Sequence, residues 1–445
     1  MSLSKPLNIL ILLLLFLLPW QTRLIYDYGW LNGVYNEYTT LSFYGVEILL
    51  WLIVLLTGIN FFLEKKITKT MFTKKYIQDN PRRFWSVILF LFFLIIFHNS
   101  GQPASAQFLT RLFGGLCLAV VLFNSRIRFY HAVLALWCGG IIQGLLAVQQ
   151  FLSQRIVGNK WLGMSAQNPY ESGVSVVQNM SERWLRAYGS FGSPNALGIY
   201  LAVIFILGLI IYFYGINNDW RKAKYFFMRV GVFLGQIIIL SGIILSFSRS
   251  AWLGVCLGSL FFIFFGFKIQ QNKKIFILNL VKSLIIYGLV VGWFFCYLSP
   301  LFLSRLSQDN YLEKLSINQR QTQITEAKNI FFSHPFLGVG AGIYTIALAE
   351  NYSVPSFGFY EPIHNVYFLI LAEIGLIGFL FWLFICFTAI KKIATDNLIY
   401  LPVIFTLFIT GVLDHWLWSM FTGLMFWWVV IGVGFLTKKE KRGKI

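Results

Sequence analysis

Three side chains in this sequence have the types and settings to act on a charged substrate together: Arg186, Arg249 and His364. Arg186 precedes a run of turn formers, Gly189-Ser190-Phe191-Gly192-Ser193-Pro194-Asn195, that leads into an apolar stretch. That order predicts a helix with Ser193 as N-cap and Pro194 at its first position. A helix start offers free N–H groups to an anion, and a guanidinium adds a bidentate phosphate contact. Arg249 lies in Ser246-Phe247-Ser248-Arg249-Ser250, with apolar runs on both sides. An arginine there either snorkels to lipid headgroups or faces a polar cavity, and the flanking hydroxyls favour the cavity. His364, in Glu361-Pro362-Ile363-His364-Asn365, sits at the start of another apolar run. An imidazole so placed can serve as a general base or orient a hydroxyl. Spacing alone leaves structural roles open: Arg186 as an interfacial arginine beside Trp184 and Tyr188, His364 as a structural histidine.

Further polar groups fall in the same regions. Asn318-Gln319-Arg320 opens an amphipathic stretch to Phe332, where Ile324, Ala327, Ile330 and Phe331 recur at helical spacing. The pattern predicts a helix on the membrane surface that stops at His334-Pro335. Gly338-Val339-Gly340-Ala341-Gly342 follows. No strand precedes it, so it reads as a tight backbone turn rather than a nucleotide loop. Glu373 lies nine residues inside an apolar run, about 13 Å deep at the helical rise. An intramembrane carboxylate is functional by default, although pairing with Arg111 or Lys282 is an alternative. Asp414-His415-Trp416 is a weaker candidate. Metal catalysis is not expected: there is no outer DxD pair and no HExxH, and Glu171, Glu182, Asp309, Glu313, Glu326, Glu350 and Glu361 are scattered along the chain.

The elements that must position these groups follow from composition. The 445 residues are 58% hydrophobic and 12% charged, against roughly a quarter charged in soluble domains. So much apolar surface must face lipid. Runs approaching the roughly 20 apolar residues of a spanning helix centre near residues 14, 52, 91, 115, 141, 204, 238, 258, 286, 375, 405 and 426. Such runs are too long for barrel strands, so the expected fold is all-α, a polytopic bundle of about twelve spans. Of the 36 Lys and Arg, 24 fall in one alternating set of connections. That set includes Lys65 to Arg83, Arg126 and Arg128, Arg221 to Arg229, Lys268 to Lys274, Lys391 and Lys392, and the tail from Lys438. The positive-inside rule assigns this set, with both termini, to the cytoplasm.

The net charge of +19 is thereby explained by topology, and a nucleic-acid partner is not expected. The opposite face then carries two long loops with short surface helices. The expected organisation is helices one to five over 1–152, a first outer loop over 153–194 and helices six to nine over 195–298. A second outer loop over 299–363 precedes helices ten to twelve with a basic tail over 364–445. The leucine-rich start reads as an uncleaved signal anchor. The five cysteines lie in apolar runs without a CxxC and imply no disulfide framework. A transporter would instead place charges through both leaflets and show internal repeats, and none are found.

In order, Arg186 through Asn195, Ser248-Arg249-Ser250, Arg320 through His334-Pro-Phe-Leu-Gly-Val-Gly340, and His364-Asn365 through Glu373 to Gly378 resemble the O-antigen ligase and polymerase superfamily of bacterial envelope glycosyltransferases. The resemblance spans about residues 184 to 380; before it, only serial apolar helices match. It implies transfer of a saccharide from undecaprenyl diphosphate to a lipid or glycan acceptor, on the outer face of the cytoplasmic membrane. It implies no cofactor, nucleotide sugar or metal. Arg186 and Arg249 match the family's diphosphate-binding arginines, and His364 matches its acceptor-activating histidine. Asn195, Arg320, Asn365 and Glu373 are then expected at the substrate. A polysaccharide polymerase using the same donor, or a flippase for lipid-linked oligosaccharides, is the alternative.

Overall fold

The computed structural model describes residues 4–64, 101–179, 182–215, 223–270, 272–306, 311–355 and 358–436. The expected span near residue 91, the basic cluster Lys65 to Arg83, Arg221 and Lys222, and the tail from Lys438 lie outside the described residues. Each remaining expected centre falls in a helix. These are α1 (Ser4–Leu17), α2 (Gly45–Glu64), α3 (Pro103–Asn124), α4 (Phe129–Ser153), α5 (Pro194–Ile210), α6 (Ala223–Leu245), α7 (Arg249–Ile269) and α8 (Lys273–Tyr297). After α9 (Ser299–Leu306), α10 (Tyr311–Ser333) and α11 (Tyr344–Asn351) come α12 (Val366–Asp396), α13 (Leu401–Gly411), α14 (Trp416–Ser419) and α15 (Phe421–Gly434). Among the described residues, seven helices are long and apolar enough to cross a bilayer, and four shorter apolar ones (α1, α2, α13 and α15) stand at other expected positions.

The bundle is built around α5. Its span, Pro194–Gly215, is wholly buried and has the highest mean hydropathy of the seven. It packs against α4, α6, α7 and α13. By contrast α8 is mostly exposed, with Leu284, Ile285, Leu289 and Trp293 outward. A helix apolar on every side fits either the centre of a bundle or its lipid-facing rim, and these two occupy the two places. Helix α1 is part of the packing, with Ile11, Leu14, Leu15 and Leu18 buried. All five cysteines are unpaired.

The architecture departs from all-α in one respect. Residues 23–44 form β1 (Arg23–Asp27) paired antiparallel with β4 (Leu41–Tyr44), and β2 (Trp30–Leu31) paired with β3 (Val34–Tyr35). The β2–β3 hairpin turns on Asn32-Gly33, both at positive φ, which suits a two-residue turn. A third pair joins β5 (Val176–Asn179) to β6 (Glu182–Leu185). Hydrogen bonds bring these segments to the end of the bundle where α6 meets α7. Ser190 Oγ donates to Pro19 O at 2.7 Å, Asn36 Nδ2 to Tyr360 O at 2.8 Å, and Ala187 N to Leu245 O at 3.0 Å. The amphipathic stretch is longer than expected, and its buried face carries Glu313, Gln323 and Glu326 beside Ala327 and Ile330. Ile324, counted in its apolar stripe, is exposed because α10 turns a largely polar face towards the protein.

Candidate active site

Arg186 is held by two glutamines two turns apart on α4. Gln150 Oε1 accepts from the Tyr188 and Gly189 amides at 3.0 and 2.9 Å, and Gln143 Oε1 accepts from the Ser190 amide at 2.8 Å. Gly189 has φ +58°, and a Cβ there would lie 2.5 Å from Gln143 Oε1, so the close approach requires glycine. The loop so fixed buries Arg186. Its Nε donates to Ser246 O at 2.8 Å and an Nη to Asn195 Oδ1 at 2.8 Å. Asn195 stands at the start of α5 behind Ser193, whose hydroxyl caps the Ala196 amide, with Pro194 leading the helix. Asn195 Nδ2 in turn donates to Asp414 Oδ2 at 3.1 Å. Burial, and the neighbouring Arg305 charge after it, push the Arg186 guanidinium pKa down. Arginine keeps its proton nonetheless.

Arg249 opens α7, which Ser248 caps. The turn before it places Phe247 at φ +47°, a strained conformation for a bulky residue. Its fully buried ring is clamped by Phe151, Trp252 and Phe302. Arg249 forms an ion pair with Glu313 at 2.9 Å, and Arg305 pairs with the other oxygen of the same carboxylate. Arg320, seven residues after Glu313 and so on nearly the same side of α10, comes within electrostatic reach of Arg249, Asp414, Glu313 and Glu361. Its Nε is buried with no hydrogen-bond partner among the described residues.

His364 lies between acids. Its Nδ1 is 3.8 Å from Asp414 Oδ2 and its Nε2 is 3.6 Å from Glu361 Oε2. Its amide donates to Gln323 Oε1 at 3.3 Å, and Gln319 Nε2 donates to Glu361 Oε2 at 2.9 Å, so α10 braces both. The ring stacks on His415, centroids 5.0 Å apart. His415 Nε2 faces Glu361 Oε1 at 3.6 Å, while its Nδ1 contacts Ser419 Oγ at 2.7 Å. The two histidines differ in charge preference. Burial pushes the His364 pKa below the usual imidazole value, outweighing the Glu361 charge. Burial also opposes the His415 cation, but the Glu361 contact and the Asp414 and Glu361 charges together raise its pKa. Burial alone would raise the Glu361 pKa, yet the histidines and Arg320 hold it below the usual carboxylate value. These shifts favour charge on Glu361 and His415 and oppose it on His364.

The ligand atoms of Glu361, His364 and His415 lie within 4.8 Å of one another, the group among the described residues that could take a metal ion. The opposed charge preferences of the two histidines suit an acid–base cluster at least as well.

Asn365 and Glu373 serve the backbone. Asn365 Oδ1 caps α12 through the Tyr367 and Phe368 amides, and its Nδ2 donates to Val412 O at 2.9 Å. Glu373 accepts from Gly342 N at 2.9 Å, Tyr344 N at 3.4 Å and Trp418 Nε1 at 2.8 Å. It thereby pins the glycine run against a break in α12 at Gly375, where φ is +65°. Val339 N and Gly340 N donate to Ala372 O and Glu373 O across that break. Arg111 pairs instead with Glu47 at 3.5 Å. Beside the histidines lies a small cleft lined by Tyr38, Arg111, Pro362, Glu373, Trp418 and Ser419.

The structure thus links Arg186 to His364 through Asn195 and Asp414, and sets Arg249 and Arg320 beside them. Arg305 was not singled out in the sequence, Glu313 appears there only among scattered acids, and Glu361 is quoted beside His364 without a role. Their one signal is that they are charged residues in a connection between long apolar runs.

A comparison with curated proteins returns no match. Residues 234–383, which contain Arg249, Glu313, Arg320, Glu361, His364 and Glu373, match the family model described as O-antigen ligase. With seven helices among the described residues long and apolar enough to span a bilayer, the chain is an integral membrane protein whose segment 234–383 is similar to the O-antigen ligase family.

Proposed function

We propose that this protein is a glycosyltransferase that moves a saccharide from undecaprenyl diphosphate to an acceptor hydroxyl, inverting the anomeric centre and using no metal. One observation carries the reading. Arginines suited to a diphosphate (Arg186, Arg249 and Arg320) and a neutral histidine between carboxylates meet at one end of an apolar bundle. A diphosphate leaves well once its developing charge is stabilised, and fixed guanidiniums do this in place of a divalent ion. His364 takes the acceptor proton as the oxygen attacks, and Asp414 stabilises the imidazolium that forms. Its 3.8 Å separation from Asp414 is longer than a hydrogen bond and closes when substrate is bound. Attack opposite the leaving diphosphate inverts the sugar.

The orientation belongs to the same proposal. Twelve spans with both termini in the cytoplasm put the segments 153–194 and 299–363 and the site outside the cytoplasmic membrane, where lipid-linked glycans present their sugars. The bias of 24 in 36 basic residues supports this. A ligase and a polymerase share this donor site, and the acceptor distinguishes them.

The test separates binding from chemistry. In detergent-solubilised protein, H364A abolishes transfer yet retains donor binding, whereas R249A weakens donor binding. Transfer surviving in H364A refutes the base assignment, and R249A binding donor as tightly as wild type refutes the arginine assignment.

A further inference from the structure

The site already contains an anion of its own. Glu313, in the first turn of α10, is 4% exposed and lies between two guanidiniums. Arg249 contacts its Oε2 at 2.9 Å, and Arg305 holds its Oε1. Arg305 is itself fixed, with Nε donating to the carbonyl of the strained Phe247 at 3.2 Å. Glu313 Oε2 is buried and makes only the ion-pair contact, without a hydrogen bond. Arg186 and Arg320 are close enough that each feels the Arg249 and Glu313 charges, so this carboxylate sits among four guanidiniums. The Arg320 Nε beside them is a buried donor without a partner among the described residues.

A carboxylate and a phosphoryl group present the same paired oxygens to a guanidinium fork. A buried guanidinium, Arg305, beside the partly exposed Arg249 would be repelled with no anion between them, so the empty site needs a counter-charge. The same need creates a conflict, because an incoming diphosphate cannot use guanidinium edges that a carboxylate occupies. We infer that Glu313 is a resident counter-anion that the donor's diphosphate replaces on Arg249 and Arg305, which makes Arg305 a further diphosphate ligand and Glu313 a positioning residue. The inference rests on the proposed lipid-diphosphate donor. It requires Glu313 to withdraw as the donor arrives, while Phe247 O and Ser246 O hold Arg305 and Arg186 independently of the carboxylate.

Dissociation constants for undecaprenyl diphosphate in micelles, and for inorganic pyrophosphate as the lipid-free arm, test this on the full-length chain. A site that must first release its own anion binds with an affinity reduced by the fraction of molecules in which that anion has left. E313Q keeps the shape and removes the charge, so its dissociation constant falls about tenfold if roughly one molecule in ten is open in wild type. R305K keeps a charge but loses the planar fork, and its dissociation constant rises by about tenfold or more. A merely structural Glu313 gives the opposite sign: E313Q then binds more weakly and melts lower. E313A carries the same prediction if E313Q is not recovered folded. Wild type binding neither ligand overturns the donor reading as well. Wild type binding diphosphate with E313Q no tighter overturns only the exchange. Tighter binding of the lipid but not of pyrophosphate by E313Q places the gain at the lipid and overturns it too.

Discussion

Replacing Asp414 with asparagine removes one negative charge 3.8 Å from His364 Nδ1 and one of two acceptor oxygens, the one that takes the Asn195 Nδ2 hydrogen bond at 3.1 Å. The side chain is buried, and asparagine retains the oxygen that accepts from Trp416 N at 2.9 Å. Unit charges about 4 Å apart attract by about 4 kcal/mol at an effective dielectric of about 20. In the proposed mechanism that attraction is present only when His364 carries the acceptor proton, so its loss falls on the transition state. At 1.36 kcal/mol per power of ten, D414N lowers kcat by about three powers of ten. Loss of the Asn195 contact also loosens Arg186, so donor affinity weakens in D414N, by less than kcat falls. The assay is turnover of an undecaprenyl-diphosphate oligosaccharide at saturating donor, with thermal melts to verify folding. The pH profile adds a sign. His364 acts when neutral, so activity is flat above its lowered pKa and falls as pH drops through it. The Asp414 charge raises that pKa, so D414N moves the acid limb to lower pH while reducing the plateau. A D414N enzyme with wild-type kcat and an unmoved acid limb refutes the pairing of Asp414 with the base.

Three further outcomes follow. H415Q removes a cation that lowers the His364 pKa, so its acid limb moves to higher pH, opposite to D414N; pH–rate profiles of the two variants compare them directly. E373A leaves the Gly342 and Tyr344 amides and the Trp418 indole without their acceptor. At about 1–3 kcal/mol for each stranded buried group the melting temperature drops, while donor affinity of the folded fraction holds. G375A forces a Cβ to 2.3 Å from Phe336 O at φ +65°, so folded yield falls by more than the roughly 1–2 kcal/mol of left-handed strain alone implies, measured by size-exclusion recovery.

Helix positions were legible because an apolar run long enough to span a bilayer has few other uses. The wholly buried α5 and the exposed α8 look alike in sequence, since apolar content does not tell lipid from neighbouring helix. The paired strands over 23–44 were not legible, although Asn32-Gly33 is a hairpin signal, because strands of two to five residues are too short for alternation to stand out. At the site, Arg186, Asn195, Arg249, Arg320 and His364 stood out through their settings at helix starts and connections. Glu313 was invisible as a partner of Arg249 because 64 residues separate them, and no local pattern encodes which acid folds back onto which arginine. Asn365 and Glu373 have roles the sequence does not display: they hydrogen-bond the start of α12 and the glycine turn, and Glu373 also lines the cleft beside the histidines.

The central claim is metal-free transfer from a lipid diphosphate. Purified protein is incubated in EDTA with an α-linked undecaprenyl-diphosphate oligosaccharide and a panel of lipid and glycan acceptors, and the products are analysed by NMR. The account predicts release of undecaprenyl diphosphate together with a new β-glycosidic product. Donor consumed without a new glycosidic bond, a product that retains the α configuration, or activity abolished by EDTA and restored by a divalent cation would contradict it.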